Sequence, residues 1–158
     1  MTALTSNSMN SGVVNSENFP IMSEFPILYV VENEDRQIFD PEALANFFEI
    51  AAIYLPKAVD LLKTLPPFDF GPRPVELKGI TSMMAVENHH SEGKYIYLGE
   101  VSKYDNSSMC GKGIRVVTEP DNRAILMGWF RNDTFTGHGR NIFEDSLTYY
   151  EGEFFNFR

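Results

Sequence analysis

The sequence predicts an α+β chain in which an N-terminal arm and a kinked helical pair pack on a C-terminal antiparallel sheet of β-hairpins. Three observations carry that expectation. Two runs at helical spacing fill residues 40–65 and are split by Pro56. A Pro-rich stretch, LPPFDFGPRP, follows them. From about Val75 the texture changes to short alternating apolar runs separated by glycine and acidic turn residues. The divisions are therefore a polar arm over 1–25, a strand with a helical segment and Pro-rich connector over 26–74, and hairpin repeats over 75–158.

The arm is rich in Ser and Asn and offers little to bury, the composition of a mobile segment. Its opening, MTALTSNSMNSGVVNSENF, has neither a basic n-region nor an apolar h-region, which argues against a secretory signal. Without Arg or Lys it also argues against a mitochondrial presequence. Phe25–Val31 (FPILYVV) is a short β-branched apolar run and predicts a strand.

The first helix has clear punctuation. Asp40 is placed as N-cap, Pro41 at the first helical position and Glu42 in the first turn, where a carboxylate faces the positive end of the helix dipole. Leu44, Phe47, Phe48, Ala51 and Leu55 recur at helical spacing, and Ile50, Ile53 and Tyr54 make a second apolar side. That pattern predicts a helix buried on more than one side. Pro56 lacks a backbone donor and ends or kinks it. Lys57 to Leu65 then form a second short helix, and LPPFDFGPRP a stiff extended connector. The charges at Glu49, Lys57, Asp60 and Lys63 exclude this region as a membrane span.

In the C-terminal half three stretches align: YLGEV at 97–101, LMGWF at 126–130 and YEGEF at 150–154. Each is apolar, spacer, glycine, spacer, apolar. Two are followed by Gly-x-Gly, as GKG at 111–113 and GHG at 137–139. Before each central glycine, at a constant offset, stands an acidic residue and a turn-former: Glu92-Gly93, Asp121-Asn122 and Asp145-Ser146. The first interval is longer than the second, and the excess sits in KYDNSSMC and around TEPDN, where a repeat tolerates insertion. Lys78-Gly79-Ile80 also copies Lys112-Gly113-Ile114, which suggests a degenerate half-unit ahead of the first. The strand period of two puts Leu126, Gly128 and Phe130 on one face, Met127 and Trp129 on the other. Glycine between two large residues leaves a slot in which an aromatic ring lies against the backbone.

This pattern resembles the MORN (membrane occupation and recognition nexus) repeat family, over about residues 92–158. The resemblance places Tyr97, Leu126 and Tyr150 at the first aromatic position, Gly99, Gly128 and Gly152 at the central glycine, and Val101, Phe130 and Phe154 at the second aromatic position. Gly111, Gly113, Gly137 and Gly139 are the paired glycines. Leu126 and Val101 depart from the aromatic consensus, and the glycine usual after the central motif is missing. The resemblance implies a stacked hairpin sheet and a cytoskeletal, ciliary or membrane-proximal scaffold.

On this reading YYEGEFFNFR is the first strand of a third hairpin without its second strand. Its edge, carrying Tyr149, Tyr150, Phe154, Phe155 and Phe157, is expected either to be capped by the N-terminal segment or to accept a strand from another chain. Trp129 takes the slot held by Glu100 and Glu153 in the flanking units. It is either covered by the helices or is an interface anchor.

Catalytic and metal sites find little support. His89-His90 lie near Glu87 and Glu92, but adjacent strand residues face opposite ways and no ligand follows at zinc spacing, so a polar loop is the plainer reading. Cys110 could meet His138, yet no orienting third group can be named. Gly111-Lys112-Gly113 is too short for a phosphate loop. The many carboxylates read as a solvated surface. A single cysteine suits a reducing compartment and excludes an internal disulfide.

A net charge of -9 and the missing basic cluster argue against nucleic acid and disfavour membrane lipid. The expected function is a non-catalytic structural or adaptor subunit, without cofactor or metal, contacting other protein subunits of a large complex. The alternative is a phospholipid-binding, membrane-proximal module. The expected location is cytoplasmic, cytoskeletal or ciliary, with a mitochondrial complex as the alternative.

Overall fold

The computed structural model describes residues 29–33, 38–89 and 95–157, without the side chains of 82–89. The polar arm, most of the expected Phe25–Val31 strand and the Glu92-Gly93 turn lie outside the described residues.

Helix α1 (Pro41–Tyr54) starts where its punctuation puts it. The Asp40 carboxylate accepts the N–H of Ala43 at 3.0 Å, with Pro41 at the first position. Leu44, Phe47, Phe48 and Ala51 form its buried face. The second apolar side is not buried: Ile50, Ile53 and Tyr54 are exposed, Ile53 by 76%. The rest of the core meets α1 from one side only, and no further layer stands beyond it among the described residues. Leu55 leaves helical geometry (φ -131, ψ 65), and α2 (Pro56–Thr64) begins at the proline, so the pair is kinked as expected. Its inward residues are Ala58, Val59 and Leu62.

The Pro-rich stretch is extended but is more than a spacer. Val30–Val31 (β1) and Phe68–Asp69 (β2) form a short parallel pair, and Phe68 and Phe70 are fully buried. At Gly71 (φ 70) the chain turns, helped by the Asp69 carboxylate, which accepts the Gly71 N–H at 2.9 Å. A 3-10 turn at Val75–Leu77 leads into the sheet. Lys78-Gly79-Ile80 lies in the turn that follows (Gly79 φ 80), not in a strand. It therefore differs from Lys112-Gly113-Ile114, and the glycine-row position in the preceding strand falls to Ala85 instead.

Six strands then form one antiparallel meander in chain order: β3 (Thr81–His89), β4 (Tyr95–Ser102), β5 (Met109–Val117), β6 (Ala124–Arg131), β7 (Thr134–Phe143) and β8 (Tyr149–Phe157). Asp121-Asn122 and Asp145-Ser146 fall in the β5–β6 and β7–β8 connections. The β6–β7 hairpin turns on Asn132-Asp133, whose φ values of 49 and 67 are both positive, as a type I′ turn requires.

The repeat spacing becomes a register. Gly99 pairs with Gly113, Gly113 with Gly128, Gly128 with Gly139 and Gly139 with Gly152, making one row across the sheet. Aromatic rings lie on this row: Tyr97 over Gly113, Phe135 over Gly128 and Gly139, Tyr150 over Gly152. The Tyr97 hydroxyl donates to the Glu100 carbonyl at 2.7 Å, and the Tyr150 hydroxyl to the Glu153 carbonyl at 3.3 Å. In the middle unit Leu126 has no hydroxyl to do this, and Phe135 fills the slot from the neighbouring strand. The leading glycines, Gly111 and Gly137, have φ of 114 and 82.

The two sheet faces divide as the strand period demands. Met127 and Trp129 join Ile114, Val116, Ile125 and Ile142 beneath the helices and the Pro-rich segment. Leu126 and Phe130 join Tyr97, Val101 and Phe135 on the opposite face, with Phe154 and Phe157 packed against them.

Candidate functional site

On the helix-covered face the structure buries charge. Glu100 is fully enclosed, and Arg73 reaches it from the Pro-rich segment with two contacts, at 2.9 and 3.1 Å. Glu100 also accepts the Lys112 backbone N–H at 2.8 Å and the Thr81 hydroxyl at 3.3 Å. The Lys112 ammonium meets Glu32 at 3.3 Å, and Glu32 in turn accepts the N–H groups of Ile38 and Phe39. Burial of charge is costly unless opposite charges and hydrogen bonds compensate it, and this network brings Arg73 to Glu100 and Glu32 to Lys112. The reading of carboxylates as a solvated surface is thus wrong for Glu100, and for Glu144, which caps α2 through the N–H of Ala58 at 2.7 Å. Glu100 reaches the interior because Arg73 and a backbone N–H converge on it, and Glu144 because the N–H groups of Lys57 and Ala58 do.

Trp129 belongs to the same interior. Its indole N–H donates to the Phe70 carbonyl at 2.9 Å, its ring meets Phe70 edge-on, and Arg73 and Lys112 lie over it. At 1% exposure it offers no surface to a partner. The interface-anchor reading is corrected: Trp129 anchors the Pro-rich segment to the sheet.

The C-terminal aromatics are placed differently from one another. Strand β8 is the last of the sheet, and no strand flanks its outer edge among the described residues. Phe154 and Phe157 are half-buried against Phe135. Tyr149, Tyr150 and Phe155 are exposed, Phe155 by 86%. The aromatic edge therefore presents three of its five rings to solvent. Any cap from the N-terminal arm lies outside the described residues.

Cys110 and His138 are not joined by a hydrogen bond. His138 stacks on Phe68 at 5.1 Å, while Cys110 is buried and desolvation pushes its thiol pKa up, away from the thiolate a nucleophile needs. The side chains of Glu87, His89, His90 and Glu92 lie outside the described residues. Among the described residues no three potential ligands cluster around a metal position. No described helix is long and apolar enough to cross a membrane.

No family model, curated protein or solved structure matches this chain.

Proposed function

We propose that this chain is a non-catalytic structural or adaptor subunit whose MORN-like hairpin sheet contacts other protein subunits of a larger assembly. The observation that carries this reading is the outer edge of β8, which no strand flanks among the described residues and which carries the exposed Tyr149, Tyr150 and Phe155. Such an edge is a template for strand addition, in which backbone hydrogen bonds give affinity and alternate side chains give specificity. The uncovered side of α1, with Ile50, Ile53 and Tyr54, offers a second apolar contact. The proposed setting is cytoplasmic, cytoskeletal or ciliary, with a mitochondrial complex as the alternative. The phospholipid-binding alternative is weaker, because a net charge of -9 repels anionic headgroups.

The test is site-specific photo-crosslinking in cells, with the crosslinker at Phe155 or, as control, at the exposed Lys57. A discrete adduct from Phe155 alone, abolished by the edge change Tyr149→Lys, supports the reading. Equal labelling from both sites, or none, overturns it. Sedimentation with phosphoinositide vesicles instead would favour the lipid alternative.

A further inference from the structure

A cavity of about 210 Å³ opens on the sheet face that the helices do not cover. Tyr95, Arg115, Leu126, Asn141 and Phe157 line it, with Glu119 at the β5–β6 connection. Its volume is below the roughly 300–1,000 Å³ of drug-sized sites, so it suits a small molecule or one terminal residue.

Two polar side chains that line this cavity each keep one buried polar atom without a hydrogen-bond partner. Arg115 is 8% exposed and Asn141 2%. The Arg115 Nε and the Asn141 Oδ1 have no hydrogen-bond partner. Among the described residues the Arg115 side chain donates from a terminal nitrogen to the Asp133 carbonyl, at a long 3.5 Å. No carboxylate forms an ion pair with the guanidinium among the described residues. Its central carbon lies over the ring of Tyr95 at 5.8 Å and over that of Phe130 at 5.4 Å. Desolvation pulls its pKa below the ordinary arginine value.

The register explains how the two groups share one site. Arg115 pairs with Leu126, and Leu126 pairs with Asn141, so both stand in one cross-strand row with Leu126 as the floor between them. Their backbones are about 10 Å apart, two strand spacings, which leaves room for a ligand of a few atoms. The Asp133 carboxylate favours the charged guanidinium without forming an ion pair with it among the described residues, and a buried polar atom left without a partner calls for an explanation such as a ligand that completes it.

The ligand chemistry follows from the two atoms. An arginine beside a cavity with its Nε–H unpartnered calls for an anion, and a planar carboxylate matches the guanidinium edge. The acceptor on Asn141 calls for an N–H or O–H donor on the same molecule. A single cation with Glu119 nearby suits one negative charge better than a phosphate dianion. We propose that this cavity binds a carboxylate bearing an adjacent N–H or O–H donor, as presented by a polypeptide C-terminus or by a free amino or hydroxy acid. Phe157 of β8 lines this cavity, but the polar atoms that define it belong to Arg115 on β5 and Asn141 on β7, so either proposal can fail without the other.

The experiment is a nitrogen-detected NMR titration that follows the Arg115 Nε–H resonance in the whole chain. The probes are glycine, L-alanine, L-lactate, and an N-acetylated tripeptide ending in a free carboxylate or in an amide. Saturable movement of this resonance by carboxylate probes, with no response to the amide, is expected. Response to the tripeptide acid points to a polypeptide end; response to the free acids alone points to a small metabolite. Arg115→Met and Asn141→Leu are expected to weaken binding by about tenfold or more, while Arg115→Met leaves the unliganded melting temperature unchanged or raised. If Arg115→Met does not fold, the wild-type resonance and Asn141→Leu still decide. No response at millimolar probe, or an equal response to acid and amide, overturns the proposal.

Discussion

The carboxylate of Glu144 accepts the backbone N–H of Ala58 at 2.7 Å, and so a residue just past β7 caps a helix that lies far ahead of it in the chain. The same carboxylate approaches the N–H of Lys57 at 3.4 Å. Helix α2 needs this because its own N-cap position is Leu55, which has no side-chain acceptor. The cap is thus also a clamp between helix and sheet.

Removing that clamp exposes its worth. Glu144→Ala leaves buried N–H groups without a partner and is expected to lower stability by about 1–3 kcal/mol, with Glu144→Gln costing less because an acceptor remains. Asp40→Ala, at the exposed cap of α1, is expected to cost about 1 kcal/mol. Chemical denaturation midpoints measure all three. A Glu144→Ala protein as stable as wild type would show that water replaces the carboxylate.

The glycine row makes a contrast between two similar substitutions. A Cβ at Gly99 would meet the backbone of Gly113 and Lys112 at 2.5 Å, atoms that cannot step aside. Gly99→Ala is therefore expected to cost about 3 kcal/mol or more. At Gly137 a Cβ meets nothing within 4 Å, and only its φ of 82 opposes alanine, at about 1 kcal/mol. Thermal melts of the two variants should differ clearly in that order; equal losses would mean the row is not close-packed.

Trp129 is the one tryptophan of the chain, so its fluorescence reports the seat of the Pro-rich segment on the sheet. The native emission is expected to be blue-shifted and resistant to iodide. Trp129→Phe loses the hydrogen bond to Phe70 and part of the packing, at about 2 kcal/mol. Easy quenching in the native protein would contradict the buried position.

Asp105 supplies a pH test. Its carboxylate accepts the N–H groups of Ser107 and Ser108 and the Ser108 hydroxyl in the β4–β5 connection, and these bonds lower its pKa to about 2. Because the folded value is depressed, the loop's ordering by Asp105 is complete above the ordinary aspartate value of about 3.9. It is lost as pH falls through about 2. Carboxyl-carbon NMR titration of Asp105, with exchange of the Ser107 and Ser108 amides, measures it. A midpoint near the ordinary value would mean the loop is open in solution.

Much of the fold was legible because it is written in local rules. Asp40-Pro41 starts α1, Pro56 starts α2, and the recurring glycine sets the hairpins, each through backbone chemistry that needs no distant partner. Where the reading went wrong, distant partners decided. Ile50, Ile53 and Tyr54 follow the helical period as well as any core residue, but nothing covers them among the described residues. Trp129 was legible as an exception in its slot, not as the partner of Phe70. Arg115 and Asn141 were passed over, although an arginine at an inward position of the apolar run GIRVV was the available sign.

The sequence by itself determined the α+β order, the helix boundaries and the alternation that sorts Leu126 from Met127, because these follow from backbone geometry and residue period. Only the tertiary structure decided which charges are interior, which apolar side stays bare, and that Arg115 and Asn141 face one cavity. Those outcomes depend on which strands become neighbours. Burial and electrostatic pairing are properties of that neighbourhood, not of any segment alone.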